Sequence, residues 1–289
     1  MVTRRKRNSA HQKIHRGSQR NSPVKHANRP PATTPAPPLS ASLLPLLIRS
    51  ATVLTAFWVA LFAAWMTLSA VNFAYPILYD VVGIEQTIRD NGPKNRYKPH
   101  FEQTSRDERI RLFAQLSQAI NHNGEGLEKI RYHDAQGNVI GTFLRAPEIV
   151  HLNDVSQLIS LLRSVGYAAL TLLLLLIAWM KFSAIPPLRI SQVIYSTLAT
   201  ALLITLFVVG YGAEKIFYQG HLLIFPEGHQ WFFYYYESLM TMLMKAPDIF
   251  AYIAALLLLL ALVFFSMALW LINRLLRTTV HTTEGGGQS

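Results

Sequence analysis

The chain has no cysteine. That excludes disulfides, thiolate nucleophiles and cysteine–zinc centres, and it leaves the redox compartment open. Charge is scarce as well: 15% of the 289 residues are charged, against 51% hydrophobic. No acidic residue precedes Asp80, and no charge of either sign occurs from Ala51 to Tyr79, Ile190 to Ala213 or Ile249 to Ile272. The stretch Leu158 to Met180 holds one, Arg163. A Gly-x-Ser-x-Gly elbow is missing, which argues against a serine hydrolase of that type. The metalloprotease pattern His-Glu-x-x-His is missing too.

What is present is four long apolar runs. A helix rises about 1.5 Å per residue, so about 20 apolar residues cross a hydrocarbon core of roughly 30 Å. Each run is long enough. The expected fold is an all-α membrane protein, a four-transmembrane-helix bundle with a small α+β extracytoplasmic cap. The expected divisions are a disordered basic Pro-rich cytoplasmic tail (1–40), transmembrane helix 1 (41–78), the cap (79–156) and transmembrane helix 2 (157–181). Transmembrane helix 3 (190–213), an aromatic extracytoplasmic loop (214–247), transmembrane helix 4 (248–273) and a cytoplasmic tail (274–289) follow.

Basic residues set the orientation. Ten of the 27 lysines and arginines lie in the first 49 residues, Lys181 and Arg189 bound the 181–189 connection, and Arg274 and Arg277 follow the last run. Basic residues stay on the cytoplasmic side, which places both termini and the 181–189 loop there. The net charge of +11 is therefore mostly tail. That tail reads as a solvated topogenic segment, with no nucleic-acid partner expected. The first apolar run outlasts a signal-peptide core and reads as a retained anchor.

Within the cap, Ser105-Arg-Asp-Glu108 supplies an N-cap and negative charge for a helix. Ile110, Phe113, Leu116 and Ile120 give it an apolar face, and Asn123-Gly124 ends it. Asp134-Ala-Gln-Gly-Asn138 lies between two β-prone stretches and predicts a hairpin. Pro147 and Glu148 suit the first turn of a helix that continues into the second run.

Two histidines stand at the same edge of this bundle. His151 precedes the second run and His221 follows the third, and a short loop joins those runs at their other ends. An ionisable group at such depth is a functional-site hypothesis by default. Asp154, three residues after His151, can share its helix face and hold its tautomer. Catalysis by His151, His221 and Asp154 is thus expected, the plainer alternatives being a helix-end capping pair and an aromatic-belt histidine. Substrate binding is assigned to Trp231, Arg163 and Tyr79. Arg163 lies roughly 9 Å inside its helix, where it either snorkels or binds a lipid phosphate or carboxylate. Glu227 and His229 read as solvated loop residues. His151, Asp154, His221, Glu227 and His229 could supply metal ligands, but their spacing matches no metalloprotease helix, so neither metal nor cofactor is expected.

Glu148-Ile-Val-His151-Leu-Asn-Asp154-Val155, then Phe217-Tyr-Gln-Gly-His221-Leu-Leu-Ile-Phe225, Trp231 and Pro247-Asp-Ile-Phe250 resemble the DUF1461 integral membrane family, over roughly Ser42 to Arg277. That family includes bacterial lipoprotein intramolecular transacylases. The resemblance implies two functional histidines, here His151 and His221, a location in the bacterial cytoplasmic (inner) membrane, and an active face turned outward. It implies transfer of the sn-2 acyl chain of a lipoprotein's diacylglyceryl-cysteine to that cysteine's own α-amino group. The partner is then a diacylated lipoprotein or membrane lipid. His151, oriented by Asp154, is expected as base and His221 as acid or oxyanion partner, or the reverse. The alternative is a non-catalytic membrane protein that binds a lipid or lipoprotein.

Overall fold

The computed structural model describes residues 39–183 and 185–277. The tail expected at 1–40 lies almost wholly outside the described residues, as does most of 274–289. Nine α-helices and one hairpin follow in order among the described residues: α1 (Leu39–Ala70), α2 (Tyr75–Val82), α3 (Ile84–Asn91), α4 (Arg106–Asn121), β1 (Arg131–His133), β2 (Val139–Thr142), α5 (Ala146–Phe182), α6 (Ile190–Tyr211), α7 (Ala213–Ile224), α8 (Leu239–Leu243) and α9 (Asp248–Arg277). Four of them, α1, α5, α6 and α9, are long and apolar enough to cross a membrane.

α1 packs between α5 and α9. Ala56, Ala60 and Ala64 recur every four residues on α1 and are buried, so small side chains let the neighbouring helices approach. Gly166 of α5 has the same role: a Cβ there would run into the Phe62 ring. Thr52 satisfies its hydroxyl within the bundle by donating to the Ile48 carbonyl at 2.8 Å. α6 differs, with most of its apolar side chains uncovered, including Leu202, Phe207 and Val209.

Asn72, Phe73 and Ala74 all take left-handed backbone angles (φ 52°, 52° and 56°) where the chain leaves α1. None is glycine, so the turn is costly in itself. Burial of Phe73 against Trp65, with ring centroids 4.9 Å apart, offsets that cost.

The cap follows. Ser105 caps α4 by accepting from the Glu108 amide at 3.1 Å, and β1 pairs antiparallel with β2 around the Asp134–Asn138 turn. Tyr75 stacks on Phe113 at 3.8 Å, and its hydroxyl donates to the Leu243 carbonyl at 2.7 Å. That last bond marks a departure from expectation. The 214–247 segment does not lie wholly as an aromatic loop in the headgroup region: 213–224 forms α7, and Phe233, Leu239, Met242 and Leu243 are buried in the cap core. Aromatic and methionine side chains satisfy either setting, and long-range packing chose the core.

α5 is the element that joins the two halves. It is one 37-residue helix, about 55 Å long and so well beyond the roughly 30 Å hydrocarbon thickness. Its first turns rise into the cap. Pro147 sits in the first turn, and the buried Glu148 carboxylate accepts from the Arg145 amide at 2.6 Å.

Candidate functional site

His151 sits on the second turn of α5, and His221 near the end of α7. Both imidazoles rest on the same side chain: the Phe225 ring lies 5.0 Å from His151 and 5.3 Å from His221, centroid to centroid. Two histidines seventy residues apart in the chain thus meet at one end of the bundle. His221 also packs on Trp231 at 4.6 Å and Phe217 at 4.1 Å. The Phe233 ring lies 6.1 Å from His151, centroid to centroid. Trp231 therefore borders the histidine pair.

The hydrogen bonds distinguish the two rings. His221 Nδ1 lies 2.8 Å from the Phe217 carbonyl oxygen. A carbonyl only accepts, so Nδ1 carries the hydrogen and the neutral ring leaves Nε2 free to take a proton. His151 Nδ1 is buried with no hydrogen-bond partner.

Asp154 does not hold His151. Its carboxylate accepts from His229 Nδ1 at 2.7 Å. The three-residue spacing made His151 the natural partner, but the loop after α7 returns over α5 and brings His229 to the carboxylate. His229, read from sequence as a solvated residue, is thereby tied into the site. No local signal in the chain marks a bond that joins positions 75 residues apart.

Two other expected residues lie elsewhere. Tyr79 is 1% exposed, donates to Glu85 Oε2 at 2.6 Å and accepts from Arg109 Nη1 at 2.7 Å. Burial, then the Glu85 hydrogen bond, pushes its phenol up to about 12. It is a core residue of the cap: α2 starts after the left-handed residues and buries Tyr75, Leu78, Tyr79 and Val82. Arg163 donates through Nη1 to the Asn121 carbonyl at 2.7 Å, at the end of α4. Trp65 Nε1 donates to the Asn121 side chain at 3.3 Å. Arg163 is a brace between α5 and the cap.

Two clefts of about 330 Å³ each open on the surface, one beside Gln115, His122 and Lys129 and one beside Tyr211, Glu214 and Tyr218. Neither is lined by His151 or His221, whose ring neighbours are Phe217, Phe225, Trp231 and Phe233. Among the described residues no three histidine, aspartate or glutamate side chains gather as a metal site.

The model of the family described as lipoprotein intramolecular transacylase Lit matches residues 48–250. Among solved structures, the membrane integral lipoprotein intramolecular transacylase Lit from Bacillus cereus, in a form with one histidine replaced by arginine, aligns with a TM-score of 0.59. Identity is 15%, over 84% of this chain and 96% of that one. A form of the same protein with histidine replaced by alanine gives 0.58 at 15% identity, over 84% and 98%. At such identity the likeness speaks to the fold. No curated protein sequence matches significantly. The family match covers well over half the chain, and this membrane protein therefore belongs to the lipoprotein intramolecular transacylase Lit family.

Proposed function

We propose that the chain catalyses an acyl shift within a diacylated bacterial lipoprotein, from the cap face of the cytoplasmic membrane. The cysteine's α-amino nitrogen attacks the sn-2 ester carbonyl. The new C–N amide bond forms, the C–O bond to the sn-2 oxygen breaks, and the products are an N-acyl cysteine and a free sn-2 hydroxyl. The amine is the nucleophile, so the protein needs no serine or cysteine of its own. Holding amine and ester together can be worth about 7–11 kcal/mol in well-oriented cases.

The observation that carries this reading is the meeting of His151 and His221 on Phe225. The Phe217 hydrogen bond favours His221 as the proton carrier: Nε2 takes the proton from the attacking amine and delivers it to the departing sn-2 oxygen. His151 then serves as hydrogen-bond donor to the oxyanion. This is the reverse of the assignment in which Asp154 makes His151 the base, since Asp154 is bonded to His229. Trp231, Phe225 and Phe233 offer the acyl chain an apolar border.

The test is mass spectrometry of lipoprotein N-terminal peptides from cells carrying the natural chain, His151→Ala or His221→Ala. Both variants are expected to lose the N-acyl lyso form by about a hundredfold or more, the scale of a lost acid–base group. An unchanged acylation pattern in all three strains overturns the proposal.

A further inference from the structure

The two histidines ride on unequal supports. His151 belongs to α5, which is packed on α1 and α4. His221 belongs to α7, preceded by the largely uncovered α6 and followed by a loop with Pro226 and Gly228. Leu222, Leu223 and Ile224 at the end of α7 are exposed. The next residue along the chain that is buried in the cap core is Phe233.

Among the described residues, the polar side-chain bond linking segment 214–232 to the rest of the molecule is His229 Nδ1 to Asp154 Oδ2, at 2.7 Å. The other side-chain bonds of that segment are internal: His221 to Phe217, and Gln230 to Phe232. Asp154 is only 14% exposed and lies one turn from His151 on α5. His229 is two residues from Trp231, whose ring lies on His221.

We propose that His229 is a positioning residue and the Asp154–His229 bond a latch that seats the His221-bearing segment against α5. The carboxylate accepts, so His229 Nδ1 donates; the bond fixes the loop, the loop places Trp231, and Trp231 with Phe225 holds the His221 ring in register with His151. Asp154 thus serves the site through the opposite histidine from the one its spacing points to. The consequence for catalysis rests on the transacylase reading; the latch itself does not.

The absence of cysteine permits a direct test on the purified full chain in lipid nanodiscs. Spin labels at Gln136→Cys in the hairpin turn and Gln219→Cys on α7, both exposed, report the distance distribution between the cap and α7. His229→Ala is expected to broaden that distribution and to lower kcat about tenfold at nearly unchanged KM, as a displaced group does. His229→Asn, whose Nδ2 occupies the place of the imidazole Nδ1, is expected to restore both. Asp154→Ala combined with His229→Ala is expected to be no worse than either alone. A distribution unchanged in His229→Ala, or additive losses in the double variant, overturns the latch. If the natural chain moves no acyl group at all, the transacylase reading fails and the distance distributions still decide the latch.

Discussion

At the scale of single residues, polar partners decide which side chains belong to the site. Tyr79, placed by sequence among substrate contacts, is bonded between Glu85 and Arg109 in the cap core. Tyr79→Phe removes the acceptor that Arg109 uses and the donor that Glu85 uses. It is expected to destabilise the folded protein by about 1–3 kcal/mol, the net worth of its hydrogen bonds to two charged groups that stay paired with each other. The acyl shift of the folded fraction should be unchanged. Thermal unfolding and acyl-transfer assays on the same preparation check both halves, and a loss of activity without loss of stability would return Tyr79 to the substrate.

At the scale of elements, one carboxylate clamps α4 to the hairpin. Glu108 accepts from Arg111, from the His133 amide at 2.9 Å and from His133 Nδ1 at 2.9 Å. Burial pushes its carboxyl up, but the hydrogen bonds from Arg111 and His133 outweigh burial, and it ends below the ordinary value of about 4.5. A folded-state value below the unfolded one means that the folded cap binds fewer protons. The contribution is therefore complete above about 4.5 and is lost as pH falls through the lower folded value. Melting temperature is expected to drop on acidification below that point. In Glu108→Gln it should be lower at neutral pH and less sensitive to acid. Equal acid slopes in the two proteins would show that the clamp contributes nothing.

At the scale of the whole molecule, the four membrane-crossing helices and the cap were legible because their signals are local. Long apolar runs mark α1, α5, α6 and α9, and Ser105, Pro147 and the Asp134–Asn138 turn mark ends and reversals. The meeting of His151 and His221 followed from topology, since the short connection between α5 and α6 returns the chain to the same end. What depended on distant partners was not legible. Phe233 and Leu239–Leu243 carry the same composition whether they lie at a lipid surface or in a core, and Tyr75 and the cap claimed them. Asp154 sits three residues from one histidine and bonds another.

The unbroken course of α5 has a final consequence. His151 is carried near the start of one continuous helix packed along α1, so its position relative to the bundle is fixed by that packing. The ester of a membrane-bound substrate instead follows the headgroup plane, which moves with lipid chain length. On the proposed acyl shift, kcat in reconstituted bilayers of stepped acyl length is expected to peak at one thickness and fall on either side. A flat profile would mean that the substrate is lifted to the imidazole by the protein.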